Sequence, residues 1–372
     1  MRVRAAIRLG DGSRETLRSP ISRTVPLNLF AIPLGLTGLA GAWAQASRGL
    51  GAPTLPSEVL YALGAGLWLV FSVSYAVHSI RYAGSLLNDL AHPHTSHLAA
   101  YIPAIGLLLL VHFGLYARQL ATWACWALVI MLAGLAARTL AAWFTGDMPE
   151  EAINPGLLLP VVAGAFIAGI AFSSVGLYPV SMAAIGVGLF FWLVIGSVVM
   201  SRLIVGGPLP ANRAPLLSVL VAPPATGGIA WMAAHPANYG TAIDAFAGVL
   251  VMMIVLQAML LPVYLRLRFS GAFWAFTFPI AASTNFLLRR LPTPMPPGWE
   301  AIGWVLLVAA TLAIGYIAIR TAVASASAQK GIGLARRLRH RLASLKDPAR
   351  PRTSTSIDCA RKQRVRNEER TP

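Results

Sequence analysis

Acidic residues are scarce in this chain of 372 residues: 13 Asp and Glu stand against 30 Lys and Arg, and charged residues together make up only 12% of it. A water-soluble domain carries about twice that share of charge, so most of this surface faces something other than water. Cysteine is nearly absent, with Cys125 in an apolar stretch and Cys359 close to the end. Two such residues build neither a disulfide framework nor a Cys/His zinc site. Residues 1–25 are polar and arginine-rich without the apolar run of a cleavable signal peptide, so the first hydrophobic segment is expected to stay in the protein. Also missing are a glycine-rich phosphate loop, a serine nucleophile elbow and a paired-carboxylate site. An ATP-driven pump has no support, and no cofactor is implied.

What is present is apolar: 56% of the residues are hydrophobic. A bilayer core needs about 20 such residues per helix. Runs of that length fall at 26–46, 57–79, 98–117, 119–144, 154–174, 179–204, 214–234, 241–262, 270–288 and 299–323. The expected fold is therefore all-α and integral to a membrane, with ten transmembrane helices. The short gaps at Arg118 and at Ser174–Tyr178 call for tight hairpins. An even span count puts both termini on one side. That side collects Arg2, Arg4, Arg8, Arg14, Arg18, Arg23, Arg81, Arg202, Arg213, Arg266, Arg268 and the basic tail, and the other holds only Arg48, Arg118, Arg289 and Arg290. The excess of basic residues on the first side makes both termini cytoplasmic; the acidic loop with Asp147, Glu150 and Glu151 falls there too, but acids weigh little in this rule.

The prolines are not scattered. Pro33, Pro103, Pro160, the pair Pro223 and Pro224, and Pro279 lie inside spans one, three, five, seven and nine, whereas the even spans carry none in their interiors. Successive odd-span prolines are roughly sixty residues apart, the length of one helical hairpin, so the chain reads as five copies of a two-helix unit. Every odd helix then crosses in the same direction, as in parallel repeats around an axis along the membrane normal. Five Pro-kinked inner helices would surround a central pore, with five straight helices outside. The odd spans contain no Asp, Glu, Lys or Arg, and they supply small and hydroxyl-bearing candidates for the pore wall: Gly35, Thr37, Gly38, Gly106, Gly164, Thr226, Gly227, Thr277 and Ser283. Small residues either permit close helix contact or leave open volume. Pro279 removes the N–H that would bond the carbonyl of Ala275. In lipid that loss costs several kcal/mol, so the carbonyl is expected to face water in an axial cavity.

At these spans the sequence resembles the tellurite-resistance/dicarboxylate transporter family, which includes bacterial tellurite-resistance proteins, yeast malate and sulfite transporters and the slow anion channels of plant guard cells. The matching stretches are PLNLFAIPLGLTGLAGAW from Pro26, DLAHPHTSHLAAYIPAIGLLLL from Asp89, PLLSVLVAPPATGGIAWM from Pro215 and FWAFTFPIAAS from Phe273. The resemblance covers about residues 24 to 324. It implies five hairpins around a pore, a homotrimer in a bacterial inner membrane, and small inorganic or organic anions as the transported species. In this family an aromatic residue of the ninth helix plugs the pore. The resemblance assigns that role to Phe278, beside Pro279, with Phe276 as its rival; side chains two apart on a helix point in opposed directions, so only one can face the axis. Anion preference would come from hydroxyls such as Thr226 and Thr277, from N–H groups at the kinks and from basic vestibules including Arg81, Arg213 and Arg266.

A proton-coupled carrier or exporter of dicarboxylate, sulfite or tellurite-type anions is the alternative, and it needs an ionisable group in the path. His112, in an odd span, is the candidate. Asp244 and Arg138 lie in even spans, where pairing between helices is the expected role. A remote alternative, a membrane metalloenzyme, would use His92, His94 and His97, but their spacing does not put three imidazoles on one helical face and no carboxylate motif accompanies them. The tail after Arg320 holds 13 Lys and Arg against 4 Asp and Glu, including ARRLRHRLASLK. Such a tail suits anionic lipid better than nucleic acid. The expected organisation is a basic segment 1–25, a transmembrane domain 26–324 and a basic tail 325–372, with both segments cytoplasmic.

Overall fold

The computed structural model of the protein describes residues 26–81, 96–146, 148–291 and 295–346. The candidate ligands His92 and His94, the loop acid Asp147, Cys359 and the basic segment 1–25 lie outside the described residues. Among the described residues every regular element is helical, and ten helices are long and apolar enough to cross a membrane. They are α1 (Leu27–Leu50), α2 (Leu55–Arg81), α3 (His97–Tyr116), α4 (Arg118–Thr145), α5 (Pro155–Ser174), α6 (Tyr178–Val205), α7 (Ala214–Ala234), α8 (Ala242–Leu265), α9 (Gly271–Arg289) and α10 (Trp299–Ser327). Each coincides with an expected span to within a few residues. The chain divides into two units, residues 1–317 and 318–372; in the second, residues 318–346 are helical.

Within the first unit the odd helices are the interior. From 50% to 94% of the apolar stretch of each is buried, against 11% to 28% for the even helices. The odd helices also form a closed ring of neighbours, α1 on α3, α3 on α5, α5 on α7, α7 on α9 and α9 back on α1. Even helices turn residues such as Val70, Trp123, Leu193, Met252 and Val305 outward, as a lipid-facing surface requires. Ring closure is tightest between α1 and α9. Gly35, Gly38 and Gly41 recur every three residues on one ridge of α1. A Cβ at Gly35 would overlap Thr277, one at Gly38 would lie 3.1 Å from both Ala281 and Phe278, and one at Gly41 would lie 3.0 Å from Asn285. Glycine lets the backbones approach that closely.

The prolines do not break long helices in their middles. Each odd helix begins with a tighter 3-10 segment: Leu27–Phe30, Ser96–Ala100, Pro155–Leu157, Ala214–Val221 and Gly271–Phe276. Pro33, Pro103, the Pro223–Pro224 pair and Pro279 sit in the first turn of the α-helical part that follows, and Pro160 lies in a π-turn over Leu159–Ala163. In the first turn of an α-helix the N–H groups lack intrahelical partners, so proline costs little there. The carbonyl of Ala275 is likewise met differently from expectation. The Ser218 hydroxyl of α7 shares its one hydrogen between the Pro215 carbonyl at 2.8 Å and the Ala275 carbonyl at 3.1 Å, so a neighbouring helix supplies part of the donation expected from water. Between α5 and α6 the expected tight hairpin is closed by Gly176 at φ +85°, with Leu177 N–H donating to the Phe172 carbonyl.

Candidate functional site

Two cavities lie along the ring, and all five odd helices contribute to both. The first, of about 50 Å³, is lined by Ala31 and Leu34 of α1, His97 and Tyr101 of α3, Gly156 and Leu159 of α5, Ala222 and Pro223 of α7 and Trp274, Ala275 and Pro279 of α9, among others. The second, of about 90 Å³, is lined by Thr37, Gly38 and Arg48 of α1, Tyr61 of α2, Val111 and His112 of α3, Ile167 and Ile170 of α5, Thr226 and Ile229 of α7 and Ala282, Asn285 and Arg289 of α9. Among the described residues one belongs to both walls: Phe278. Its side chain is 7% exposed and packs over Gly38, where any Cβ would crowd the ring. The sequence therefore places a bulky aromatic ring between two hollows on one axis.

Phe276 points elsewhere. Its ring stands edge-on to Tyr264 at 4.8 Å and packs on Phe273 at 5.7 Å, in the wall of an apolar groove of about 460 Å³ between α7, α8, α9 and α10. The opposed directions follow from the helical register. Ser283 lines that groove and donates to the Pro279 carbonyl. Of the other wall candidates, Thr37, Gly38, His112 and Thr226 line the larger cavity. Gly35 packs on Thr277, Gly106 on Leu128 and Trp68, Gly164 on Leu132, and Gly227 on Phe246 and Phe166. For these glycines close helix contact, not open volume, is the use of the missing side chain.

The hydroxyls are occupied. Thr37 donates to the Pro33 carbonyl at 2.8 Å, Thr226 to Ala222 at 2.8 Å and Thr277 to Trp274 at 2.8 Å. A hydroxyl has one hydrogen. Bonded back into their own helices, Thr37 and Thr226 offer an anion in the larger cavity no donor, and the fully buried Thr277 lines neither cavity. The expected vestibule arginines are not in the cavity walls either: Arg81 and Arg266 are exposed, and Arg213 donates to the Glu151 carbonyl. Positive charge enters from the opposite end of the odd helices, through Arg48 and Arg289, with Asn285 accepting from Arg289 Nε at 2.9 Å. The sequence signal for these two was the short set of basic residues assigned to the non-cytoplasmic side; it was read for orientation alone.

Three ionisable groups resolve as follows. His112 stacks on Tyr61 with centroids 3.8 Å apart, and its Nε2 lies 3.1 Å from Glu58 Oε2. Asp244 pairs with Arg290 at 2.7 Å. Arg138 is exposed on α4, away from the bundle interior, so the expected interhelical pairing is absent there among the described residues. Among the described residues no cluster of three or more His, Cys, Asp or Glu could hold a metal ion.

The sequence model of the family described as SLAC1, voltage-dependent anion channel, matches residues 24–322. The chain is 22% identical over 264 residues to the tellurite resistance protein TehA homolog of Haemophilus influenzae, covering 70% of this chain and 80% of that protein. It is 22% identical over 315 residues to the S-type anion channel SLAH3 of Arabidopsis thaliana, covering 82% of this chain and 49% of the relative. The guard cell S-type anion channel SLAC1 of the same plant is 25% identical over 278 residues, covering 71% of this chain and 49% of the relative. The chain thus spans about half the length of these plant channels.

Proposed function

The chain belongs to the voltage-dependent anion channel family, a family of channels and transporters and not of enzymes, and on that footing we propose that it conducts small anions along the axis of its odd helices, with the Phe278 ring as the barrier. One observation carries this reading: two cavities, each lined by all five odd helices, share that side chain alone among the described residues. The cavities are small. At about 30 Å³ per water molecule, the larger has room for about three waters and the smaller for one or two, which suits a small inorganic anion with part of its hydration shell. Conduction requires the ring to change rotamer, because the backbone around it is fixed by the contact of α9 with α1. Phe278→Ala in a planar bilayer is expected to raise chloride current well above that of the unmodified protein. A current unchanged by that substitution removes Phe278 as the barrier.

The proposed setting is a multi-pass protein of a bacterial inner membrane, with segments 1–25 and 325–372 on the cytoplasmic side and three copies per assembly. The basic residue distribution supports the orientation, and the family resemblance supports the trimer. A second reading, coupled transport of protons with an anion, is favoured by the His112–Glu58 pair at the wall of the larger cavity. In liposomes that mechanism would give anion uptake driven by a pH gradient and abolished by His112→Gln; uptake indifferent to the gradient refutes it.

A further inference from the structure

We infer that Arg289, with Asn285 and Arg48, is an anion-loading site on one side of the Phe278 constriction. Its role in transport rests on the conduction reading above; its ability to bind does not. Arg289 ends α9 and is 11 residues beyond Phe278, which at 1.5 Å per residue is about 16 Å along the helix. Arg289 is half-buried and its side chain lines the cavity wall, and among the described residues no carboxylate forms an ion pair with it. Its neighbour Arg290 has one, Asp244 at 2.7 Å. A guanidinium withdrawn from water without a counter-charge is costly. An anion in the cavity supplies that charge.

The local geometry leaves the correct edge open. Asn285 Oδ1 takes the Nε–H of Arg289 at 2.9 Å and so fixes the plane of the fork. The Nη1 and Nη2 groups, with four N–H donors, remain. Gly41 makes room for this arrangement, since a Cβ there would lie 3.0 Å from Asn285 Nδ2 and 3.4 Å from the Tyr61 hydroxyl. Arg48 adds a second positive charge to the same wall. The carboxylate nearby, Glu58, is bonded to His112. With the threonine hydroxyls of this cavity committed to backbone carbonyls, the arginines are its main attraction for an anion.

The test measures chloride binding apart from transport, by chlorine NMR line broadening of the full chain in detergent, with nitrate as competitor. Broadening displaced by nitrate is expected for the unmodified protein. Loss of a charge-assisted contact of this kind weakens binding about ten- to a hundredfold, so Arg289→Gln should lose most of the broadening while Arg289→Lys keeps a substantial part. Equal broadening in all three proteins overturns the inference, as does equal loss in the Gln and Lys variants when both melt like the parent. In the Phe278→Ala background, Arg289→Gln should reduce chloride current entering from the arginine side more than current entering from the other. A silent Phe278→Ala channel that still binds chloride through Arg289 would sink the barrier assignment and leave the site standing.

Discussion

Phe278 and Phe286 lie eight residues apart on the same helix, and both are buried, at 7% and 0% exposure. Truncating each to alanine separates a wet axis from a dry core. Phe286 is enclosed by protein and packs over Gly228, where a Cβ would overlap its ring. Its removal costs the lost contacts plus the void left behind; at ~24 cal/mol per Å³, an unfilled void of roughly 80 Å³ adds about 2 kcal/mol, for a total of about 3–5 kcal/mol. Phe278 loses comparable contacts, but its space joins cavities of about 90 Å³ and about 50 Å³. Water from these cavities then occupies the vacated volume, and most of the cavity term disappears. Phe278→Ala should therefore be the less destabilising of the two by about 2 kcal/mol. Lipid or detergent around the unfolded chain lowers the transfer contribution in both variants and leaves their difference. Thermal unfolding of the two proteins in one detergent measures it. Equal destabilisation would mean that the volume beside Phe278 stays empty, and the aqueous passage would have no physical basis.

Three smaller perturbations probe how the ring is held together. A Cβ at Gly64 would sit 2.7 Å from the Thr37 methyl and meet nothing else closer than 3.6 Å, so Gly64→Ala should cost about 1–3 kcal/mol by overpacking. Thr37→Ser removes that methyl and keeps the hydroxyl bond to Pro33; the double variant should recover most of the loss, and a double-mutant cycle without coupling refutes the contact. Ser218→Ala leaves the Ala275 carbonyl without its donor and should lower stability by about 1–3 kcal/mol, whereas Ser218→Thr keeps a hydroxyl and should cost less. The Arg290–Asp244 pair is substantially exposed, so Asp244→Asn should shift the melting midpoint by an amount worth no more than about 1 kcal/mol.

The two-ring architecture was legible because it is written in patterns that repeat. Ten apolar runs set the helices, and prolines in the middle of every second run marked which helices lie inside; Pro262, which the sequence placed at the end of an even span, lies within the last turn of α8. The mechanism ascribed to those prolines was not legible. Whether a proline interrupts a helix or opens one depends on where the α-helical hydrogen bonding starts, and the 3-10 turns over Leu27–Phe30 and Gly271–Phe276 move that start to within three residues of Pro33 and Pro279. No residue type announces such a turn. The fate of the Ala275 carbonyl was equally hidden, since its donor, Ser218, comes from another helix 57 residues away in sequence. Hydroxyls misled for a related reason. Serine and threonine in a membrane helix gain a bond by reaching back to the carbonyl three or four residues before them. Thr37, Thr226, Thr277 and Ser283 all do so, and their presence in the odd spans reported helix solvation instead of ligand contacts.

The placement of charge follows from the same economy of solvation. A cation beside Phe278 would be surrounded by apolar helices at the narrowest point of the axis with no carboxylate at hand; among the described residues the wall of the smaller cavity accordingly holds no Asp, Glu, Lys or Arg, His97 being its one imidazole. At the end of α9 the balance reverses. Arg289 keeps Asn285 as a neutral acceptor and a cavity large enough for several waters, so its charge survives without a permanent counter-ion. A carboxylate partner would have neutralised it, as Asp244 does for Arg290. On this reasoning, inserting such a partner should close the site from within. Ile229 of α7 lines the same cavity as Arg289. Ile229→Glu should suppress chloride binding as strongly as Arg289→Gln while leaving the guanidinium in place, and chloride binding retained in that variant would show that the arginine does not carry the attraction.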